Sequence, residues 1–168
     1  KNKLFGALSD QNFEKFNKIL EDIEFKKHIK QLKLDTSKNS NGFTLMQEAA
    51  KVQNSDFVTS LLRANINGNR ITKKGDRPVL ISARLGNWKV LEAFKIYNSE
   101  MIADKNYMPI DFAVWTRNNG DTVLHLVLTR NLLPGDNAGM KRNFGSSDIT
   151  AKPLDKKQFK NKINSLLT

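Results

Sequence analysis

The chain of 168 residues contains no cysteine. Disulfide bonds, thiolate zinc sites and cysteine nucleophiles are therefore excluded, and the composition fits a reducing compartment such as the cytoplasm. Histidine is rare as well: only His28 and His125 are present, and neither stands in a metal-binding spacing such as HExxH. Long apolar runs are also missing, since none approaches the roughly 20 residues that cross a bilayer. We expect no metal, no cofactor and no transmembrane segment in this chain.

Motifs that hold phosphate groups or support acid and base catalysis are missing too. Neither a GxxxxGK[ST] nor a GxGxxG pattern occurs, so no phosphate-binding glycine loop is predicted. The acidic residues Glu21 and Asp22 are adjacent in sequence, which points their carboxylates apart on a helix. We therefore predict that the chain is not an enzyme.

Basic residues outnumber acidic ones. The 28 Lys and Arg against 17 Asp and Glu give a formal net charge of +11, and such an excess attracts anionic partners. The basic residues are scattered along the chain and are not interleaved with aromatic residues, so a solvated basic exterior is favoured over a nucleic-acid site. The Lys-rich segment from Lys156 is the best candidate for an exception to this solvated exterior. Even there, a plain capping helix is favoured over a membrane-surface or partner-binding helix.

What the chain does contain is a repeated segment. Residues 41–50 and 74–83 align without a gap, and residues 119–128 carry the same pattern most clearly. Each copy has, after a polar residue, a glycine that supplies the backbone freedom of a tight turn: Gly42, Gly75 and Gly120. A period of about 33 residues, the offset between the first two copies, indicates a stack of helical hairpins, none of which buries its apolar face alone.

The repeated pattern resembles the ankyrin repeat over roughly residues 4 to 133. Thr122 and His125 occupy the ends of the Thr-Pro-Leu-His motif of that family, and the resemblance implies that this His links neighbouring repeats by hydrogen bonds. Gly86, between two helices, and Asn65, after a helix, are expected to adopt a left-handed backbone. The resemblance implies an all-α fold: an ankyrin-repeat solenoid of about four to five helix-turn-helix repeats, one of them truncated.

The spacing of the copies sets the predicted domain organisation. Residues 1–133 form the ankyrin-repeat stack, with units near residues 4–37, 38–70, 71–103, 104–118 and 119–133. The unit at 104–118 is truncated, because Pro109 and Val123, which hold the same place in successive copies, are too close in sequence for a helical hairpin to fit between them.

The composition changes after Leu133. Pro134 and Gly135 end a helix, and the stretch rich in Gly, Asn, Ser and Asp predicts a loop over residues 134–151. A basic helix within residues 152–168 is then predicted to cap the stack.

A second resemblance concerns three segments: the leading unit from Leu4 to Leu20, the segment from Gly86 to Glu92, and the segment from Thr122 to Leu128. With the basic, loop-rich stretch that follows, they are similar to the cytoplasmic repeat region of insect transient receptor potential channels of the ankyrin type, the painless-like group. This resemblance implies a non-catalytic scaffold at the cytoplasmic face of a membrane, which couples heat, chemical stimuli or partner proteins to a cation pore in sensory ion transport.

The alternative is a free-standing soluble ankyrin protein of the cytoplasm, either an adaptor or a transcription-factor inhibitor. Both interpretations assign protein-protein binding to the chain, and no specific nucleic-acid partner is expected. The chain begins at Lys1 without a secretory leader, so we expect it to be a fragment. Apolar segments of about 20 residues encoded beyond Thr168 would indicate the channel.

The ankyrin resemblance also implies where a partner binds, because members of that family use the concave surface formed by their turns and inner helices. We predict partner contacts at side chains that project from the turn tips. These residues are Asn41, Phe43, Lys74, Asp76, Arg77, Asn119 and Asp121.

Overall fold

A computed structural model describes residues 2–22, 34–103, 108–114, 120–132 and 156–167. Within these ranges the chain is helical and contains no β-strand, which confirms the predicted all-α class for them. The helices are, in chain order, α1 (Asn2–Ser9), α2 (Phe13–Glu21), α3 (Leu45–Ala49), α4 (Ser55–Arg63), α5 (Pro78–Leu85), α6 (Trp88–Glu100), α7 (Val123–Leu132) and α8 (Lys156–Leu167). In the parts of the chain that the structure describes, no helix is both long and apolar enough to span a membrane.

The helices form two layers that follow the chain order. Consecutive helices pair, since α1 contacts α2, α3 contacts α4 and α5 contacts α6. The first layer contains α1, α3, α5 and α7, each in contact with the next. The second layer contains α2, α4, α6 and α8, again each in contact with the next. Each pair of helices is therefore covered by the pair that follows it, and the core runs continuously between the layers.

The helix ends follow from local sequence. Thr44 caps α3 in a capping box, because its side chain accepts from the amide of Gln47 while the Gln47 side chain accepts from the amide of Thr44. Pro78 is the first residue of α5, where its missing amide removes no helical hydrogen bond. Gly86 ends α5 with φ 66°, and its left-handed conformation confirms the prediction made for it.

The core is filled by apolar side chains at helical spacing. Phe57 of α4 makes T-shaped contacts with Phe13 and Phe16 of α2, with ring centroids 5.3 and 5.0 Å apart. The small residues Ala49 and Ala83 of the first layer are fully buried, which allows α3 and α5 to approach closely. Aromatic side chains thus space the second layer, and alanines bring the first layer together.

A buried amide links the turn of one helix pair to the turn of the next. Asn87 lies between α5 and α6 and is only 3% exposed. Its Nδ2 donates to the carbonyl oxygens of Ala50 and Val52, at 3.2 and 2.6 Å. These two carbonyls follow α3, where a helix leaves its last C=O groups without intrahelical partners. The side chain of Asn87, the N-cap residue of α6, therefore satisfies carbonyls that follow α3 and makes no capping bond to α6 itself.

Left-handed backbone occurs at two residues other than glycine in the described ranges, Gln11 with φ 52° and Asn65 with φ 60°. The value at Asn65 confirms the prediction for that residue. Gln53 holds the place of Gly86 in the preceding copy of the repeat but keeps a negative φ. Because no glycine is available there, the first helix of its pair ends early, at Ala49.

The predicted boundaries beyond α6 are covered only in part. Residues 108–114 of the predicted truncated unit contain no helix, and residues 104–107 and 115–118 of that unit lie outside the described residues. The helix Lys156–Leu167 falls inside the segment predicted to cap the stack. The predicted loop at residues 134–151 lies outside the described residues.

Two glutamines provide a matched test of the backbone conformations. We expect Gln11→Gly to raise the free energy of unfolding by about 0.5–1 kcal/mol, because relief of left-handed strain exceeds the added chain entropy. Gln53→Gly is expected to lower it by about 0.5–1 kcal/mol, since only the entropic effect applies at negative φ. Urea denaturation of both variants measures the difference, and shifts of the same sign in both would contradict the assignment.

Candidate protein-binding surface

Two loops precede the first-layer helices α3 and α5. The first loop comprises residues 34–44 and the second loop residues 67–77. In the first loop the Asn39 amide donates to the carbonyl of Phe43 at 2.9 Å, and the Gly42 amide donates to the carbonyl of Asn39 at 3.0 Å. The second loop repeats both bonds one repeat later, again at 2.9 and 3.0 Å: they join Thr72, Gly75 and Asp76. The recurrence therefore holds in the backbone as well as in the sequence.

Gln47 fixes the second loop against the start of α3. Its side chain is fully buried, and its Oε1 accepts from the amide of Thr44 at 2.9 Å. Its Nε2 donates to the carbonyl of Arg70 at 2.9 Å. A second link lies at the base of the loops, where the amide of Asn67 donates to Asp35 Oδ1 at 2.7 Å. The two loops are thus held side by side.

The resemblance implied that His125 links neighbouring repeats. Gln47 makes a link of this kind between α3 and the second loop. Gln47 is the fourth residue of Thr44-Leu45-Met46-Gln47, the position that His125 takes in its own copy. Gln47 was not among the predicted residues, because only a histidine was expected to form this link. His125 is exposed, and its Nδ1 lies 2.9 Å from the Thr122 hydroxyl within the same motif. A link from His125 to another repeat stays a prediction.

Replacing the two motif residues tests this difference. We expect Gln47→Leu to lower the free energy of unfolding by about 1–3 kcal/mol, because the Thr44 amide and the Arg70 carbonyl lose their partner. The matched control His125→Leu is expected to change it by less than about 1 kcal/mol, since the ring is exposed. Thermal and urea unfolding of both variants give the comparison. Equal losses of unfolding free energy in the two variants would contradict the expectation that the buried hydrogen bonds of Gln47 stabilise the fold.

Each loop is braced by a cation eight residues further along the chain, Arg84 on α5 and Lys51 just after α3. In the second loop, Asp76 receives two bonds from the guanidinium of Arg84, at 2.8 and 3.0 Å. In the first loop, the equivalent positions hold Phe43 and Lys51, and the Lys51 ammonium lies 4.2 Å from the centroid of the ring. Lys51 also pairs with Glu48 at 2.6 Å. An ion pair and a cation-π contact therefore serve the same mechanical purpose.

These braces correct the expectation that all the predicted binding residues project from the tips. Asp76 is buried, with 6% of its surface exposed, and its carboxylate is committed to Arg84. Phe43 is half-buried and packs against the core beneath Lys51. The sequence does not reveal these two contacts. The cation of each pair lies eight residues further along the chain than the loop residue and meets it only in the folded structure.

The remaining predicted residues divide by exposure. Asn41 and Lys74 are exposed at the tips of the two loops. Arg77 is half-buried, and its Nη1 lies 3.9 Å from the carboxylate of Asp111. Asp121 is half-buried ahead of α7, and Asn119 lies outside the described residues. The structure brings Asn41 and Lys74 onto neighbouring loops, and their role in binding stays a prediction.

Two Asp-Arg pairs allow the brace to be measured against an exposed control. A double-mutant cycle on Asp76→Ala and Arg84→Ala is expected to give a coupling energy of about 1–3 kcal/mol, because the pair is largely buried. The same cycle on Asp111→Ala and Arg77→Ala is expected to give less than about 1 kcal/mol, since both side chains are partly solvated. Urea denaturation supplies the four free energies of each cycle. Indistinguishable couplings would contradict the bracing role.

The non-helical segment 108–114 is fixed beside the second loop by two asparagines. The Asn98 side chain donates to the carbonyl of Ile110 and accepts from its amide, both at 2.8 Å. The Asn69 side chain donates to the carbonyl of Pro109 at 2.7 Å and accepts from the amide of Asp111 at 3.1 Å. These side chains replace the partners that a helix would have provided, so the segment keeps its position without helical structure.

Of the eight exposed residues in the two loops, four are basic. We call six of the eight, all except Thr36 and Ser40, the loop surface: Lys38, Asn41, Arg70, Ile71, Lys73 and Lys74. The sequence analysis identified only Asn41 and Lys74 of this set. Ile71 is 45% exposed and is the apolar member. Arg70 and Lys73 could have been found from one signal, the basic residues on both sides of the Thr72 turn.

Grooves lie on the opposite, second layer. One, of about 800 Å³, runs between α4 and α6 and includes Arg63, Lys89, Glu92 and Ile96 in its lining. Another, of about 500 Å³, lies between α2 and α4. Among the side chains that the structure describes, no cluster of three or more His, Asp or Glu could hold a metal ion. These grooves are shallow surfaces between helices, lined by charges of both signs.

Comparisons with protein-family models, with curated proteins and with solved structures find no match for this chain. No family, relative or structural neighbour therefore assigns an activity or a partner to it. The function of the chain must therefore be inferred from its own surfaces, beginning with the paired loops.

Proposed function

We propose that the chain is a non-catalytic protein-binding module of the ankyrin-repeat type, which contacts a partner through the loop surface. The observation that carries the proposal is the recurrence of one loop in consecutive repeats, with the same backbone bonds and with a cation brace at equivalent positions. Two loops built alike and fixed side by side make a surface that can present side chains in a defined arrangement.

The arrangement of helices supports the ankyrin-repeat part of the proposal. The helices pair in chain order, and the pairs stack so that first helices contact first helices and second helices contact second helices. Gln47 links the start of α3 to the following loop, as the resemblance leads one to expect of the fourth residue of the motif. Both features are typical of solenoids, in which each unit contacts only its neighbours.

The internal hydrogen bonds of the loops support the binding part. Several of their backbone polar groups are used internally, by the turns and by Gln47, Asp35 and Asn39. Exposed side chains on a backbone fixed in this way lose little conformational entropy when a partner binds. A surface of this kind favours recognition of a partner.

The same binding mode fits the two settings suggested by the sequence. In a channel of the painless-like group, the module would be a scaffold in the cytoplasmic region that couples partners or stimuli to the pore. In a free-standing soluble adaptor or transcription-factor inhibitor, it would act alone. Sequencing the coding region beyond Lys1 and Thr168 separates the settings, because a channel requires several apolar segments of about 20 residues.

Peptides selected from a displayed random library against the folded chain test the proposed function. We expect the variant Asn41→Ala with Lys74→Ala to bind the selected peptides at least about tenfold more weakly, because tip contacts are lost. The control variant Lys89→Ala with Ile96→Ala removes exposed side chains of the groove between α4 and α6 and is expected to bind normally. Fluorescence polarisation gives both affinities, and circular dichroism verifies folding. Loss of binding in the groove variant alone would overturn the proposal.

A further inference from the structure

The loop surface carries a concentration of positive charge. Lys38 on the first loop and Arg70, Lys73 and Lys74 on the second loop are all exposed. Among the described residues, none of these four side chains forms an ion pair. Because the Gln47 link holds the second loop against the start of α3, the two loops lie side by side. The potentials of the cations that they carry therefore add.

The acidic residues of the loops do not offset this charge. Asp76 is buried and bound by both terminal nitrogens of Arg84, so that pair is neutral as a unit. Asp35 is half-buried at the base of the first loop, where it accepts from the amide of Asn67. The fold thus places the carboxylates of both loops below the tips and leaves cations at the surface.

An apolar residue lies within the same patch. Ile71 is 45% exposed and is flanked in sequence by Arg70 and, one residue further on, by Lys73. Protein interfaces combine an apolar contact with a polar rim. Ile71 and the cations on either side of it form a small patch of this kind, with an apolar centre and a charged rim.

Nucleic acid fits this surface less well than an acidic protein. Binding of single-stranded nucleic acid uses aromatic faces on which bases stack. The two loops contain one aromatic residue, Phe43, and the ammonium of Lys51 lies over its ring. Bases would find no open aromatic face on the two loops, whereas carboxylates and an aliphatic side chain would find complementary groups.

We propose that the partner of the loop surface is an acidic peptide segment, whose Asp or Glu side chains pair with Lys38, Arg70, Lys73 and Lys74 and whose apolar side chain packs on Ile71. This inference rests on the proposed function and adds the chemical class of the partner. Electrostatic complementarity of this kind accelerates association and selects against basic partners.

A designed probe tests the partner class. The probe is a fluorescent peptide of Glu and Asp residues with one central Leu, measured by polarisation against the whole chain. We expect Lys73→Glu with Lys74→Glu to weaken binding at least about tenfold. The control Lys15→Glu with Lys18→Glu alters two exposed lysines of α2 and changes the net charge equally; it is expected to alter affinity less than about threefold.

The apolar contact and the competing ligand are tested in the same assay. Ile71→Ser and replacement of the central Leu of the probe by Ser are each expected to weaken binding, and less than additively when combined. A fluorescent single-stranded oligonucleotide of similar charge is expected to bind the chain more weakly than the peptide does. Tighter binding of the oligonucleotide would overturn the acidic-peptide proposal in favour of nucleic acid.

The remaining outcomes separate this inference from the proposed function. Equal weakening in the Lys73 and Lys15 double variants would mean that net charge alone attracts the probe, which would overturn the inference. If library-selected peptides lose affinity for the variant of Asn41 and Lys74 but are not acidic, the proposed binding function is retained and the acidic partner class is rejected. If acidic peptides bind and the loop variants do not matter, both proposals fall.

Discussion

Satisfaction of backbone hydrogen bonds where one helix pair meets the next is the constraint on which the stack depends. Helix ends and loops leave amides and carbonyls without local partners, and burying them unpaired is unfavourable by about 1–3 kcal/mol each. Carboxamide side chains meet this need at successive boundaries, since each can donate and accept at once. Gln47, Asn87, Asn69 and Asn98 all donate to the backbone of another segment, and Asn69 and Asn98 also accept from it.

The two loops show that a geometric requirement can be met by different chemistry. At the second loop, an aspartate and an arginine form a largely buried ion pair. At the first loop, a phenylalanine ring and a lysine occupy the equivalent positions, and the lysine also bonds to Glu48. In both cases a cation eight residues further along the chain contacts the loop side chain: Arg84 lies on α5, and Lys51 lies just after α3. This leaves the neighbouring exposed residues as the groups that a partner can reach.

The sequence predicted features that depend on local residues alone. The turn glycines, the left-handed Asn65 and Gly86, and the helical class all follow from backbone sterics and from periodicity. It did not predict the destinations of long polar side chains. Asp76 was expected at a projecting tip, because nothing in its neighbourhood shows that Arg84 lies beneath it. Gln47 was overlooked because its role depends on a carbonyl that is 23 residues away and becomes adjacent only in the stack.

The choice of amide over imidazole at the first boundary has a chemical consequence. A histidine in the place of Gln47 would have an unperturbed pKa of about 6.5, and it would gain a proton in mildly acidic surroundings. Protonation would remove its ability to accept from the amide of Thr44. A carboxamide carries no charge across this range. The bonds of Gln47 to Thr44 and Arg70 therefore do not depend on a proton that is gained or lost in this range.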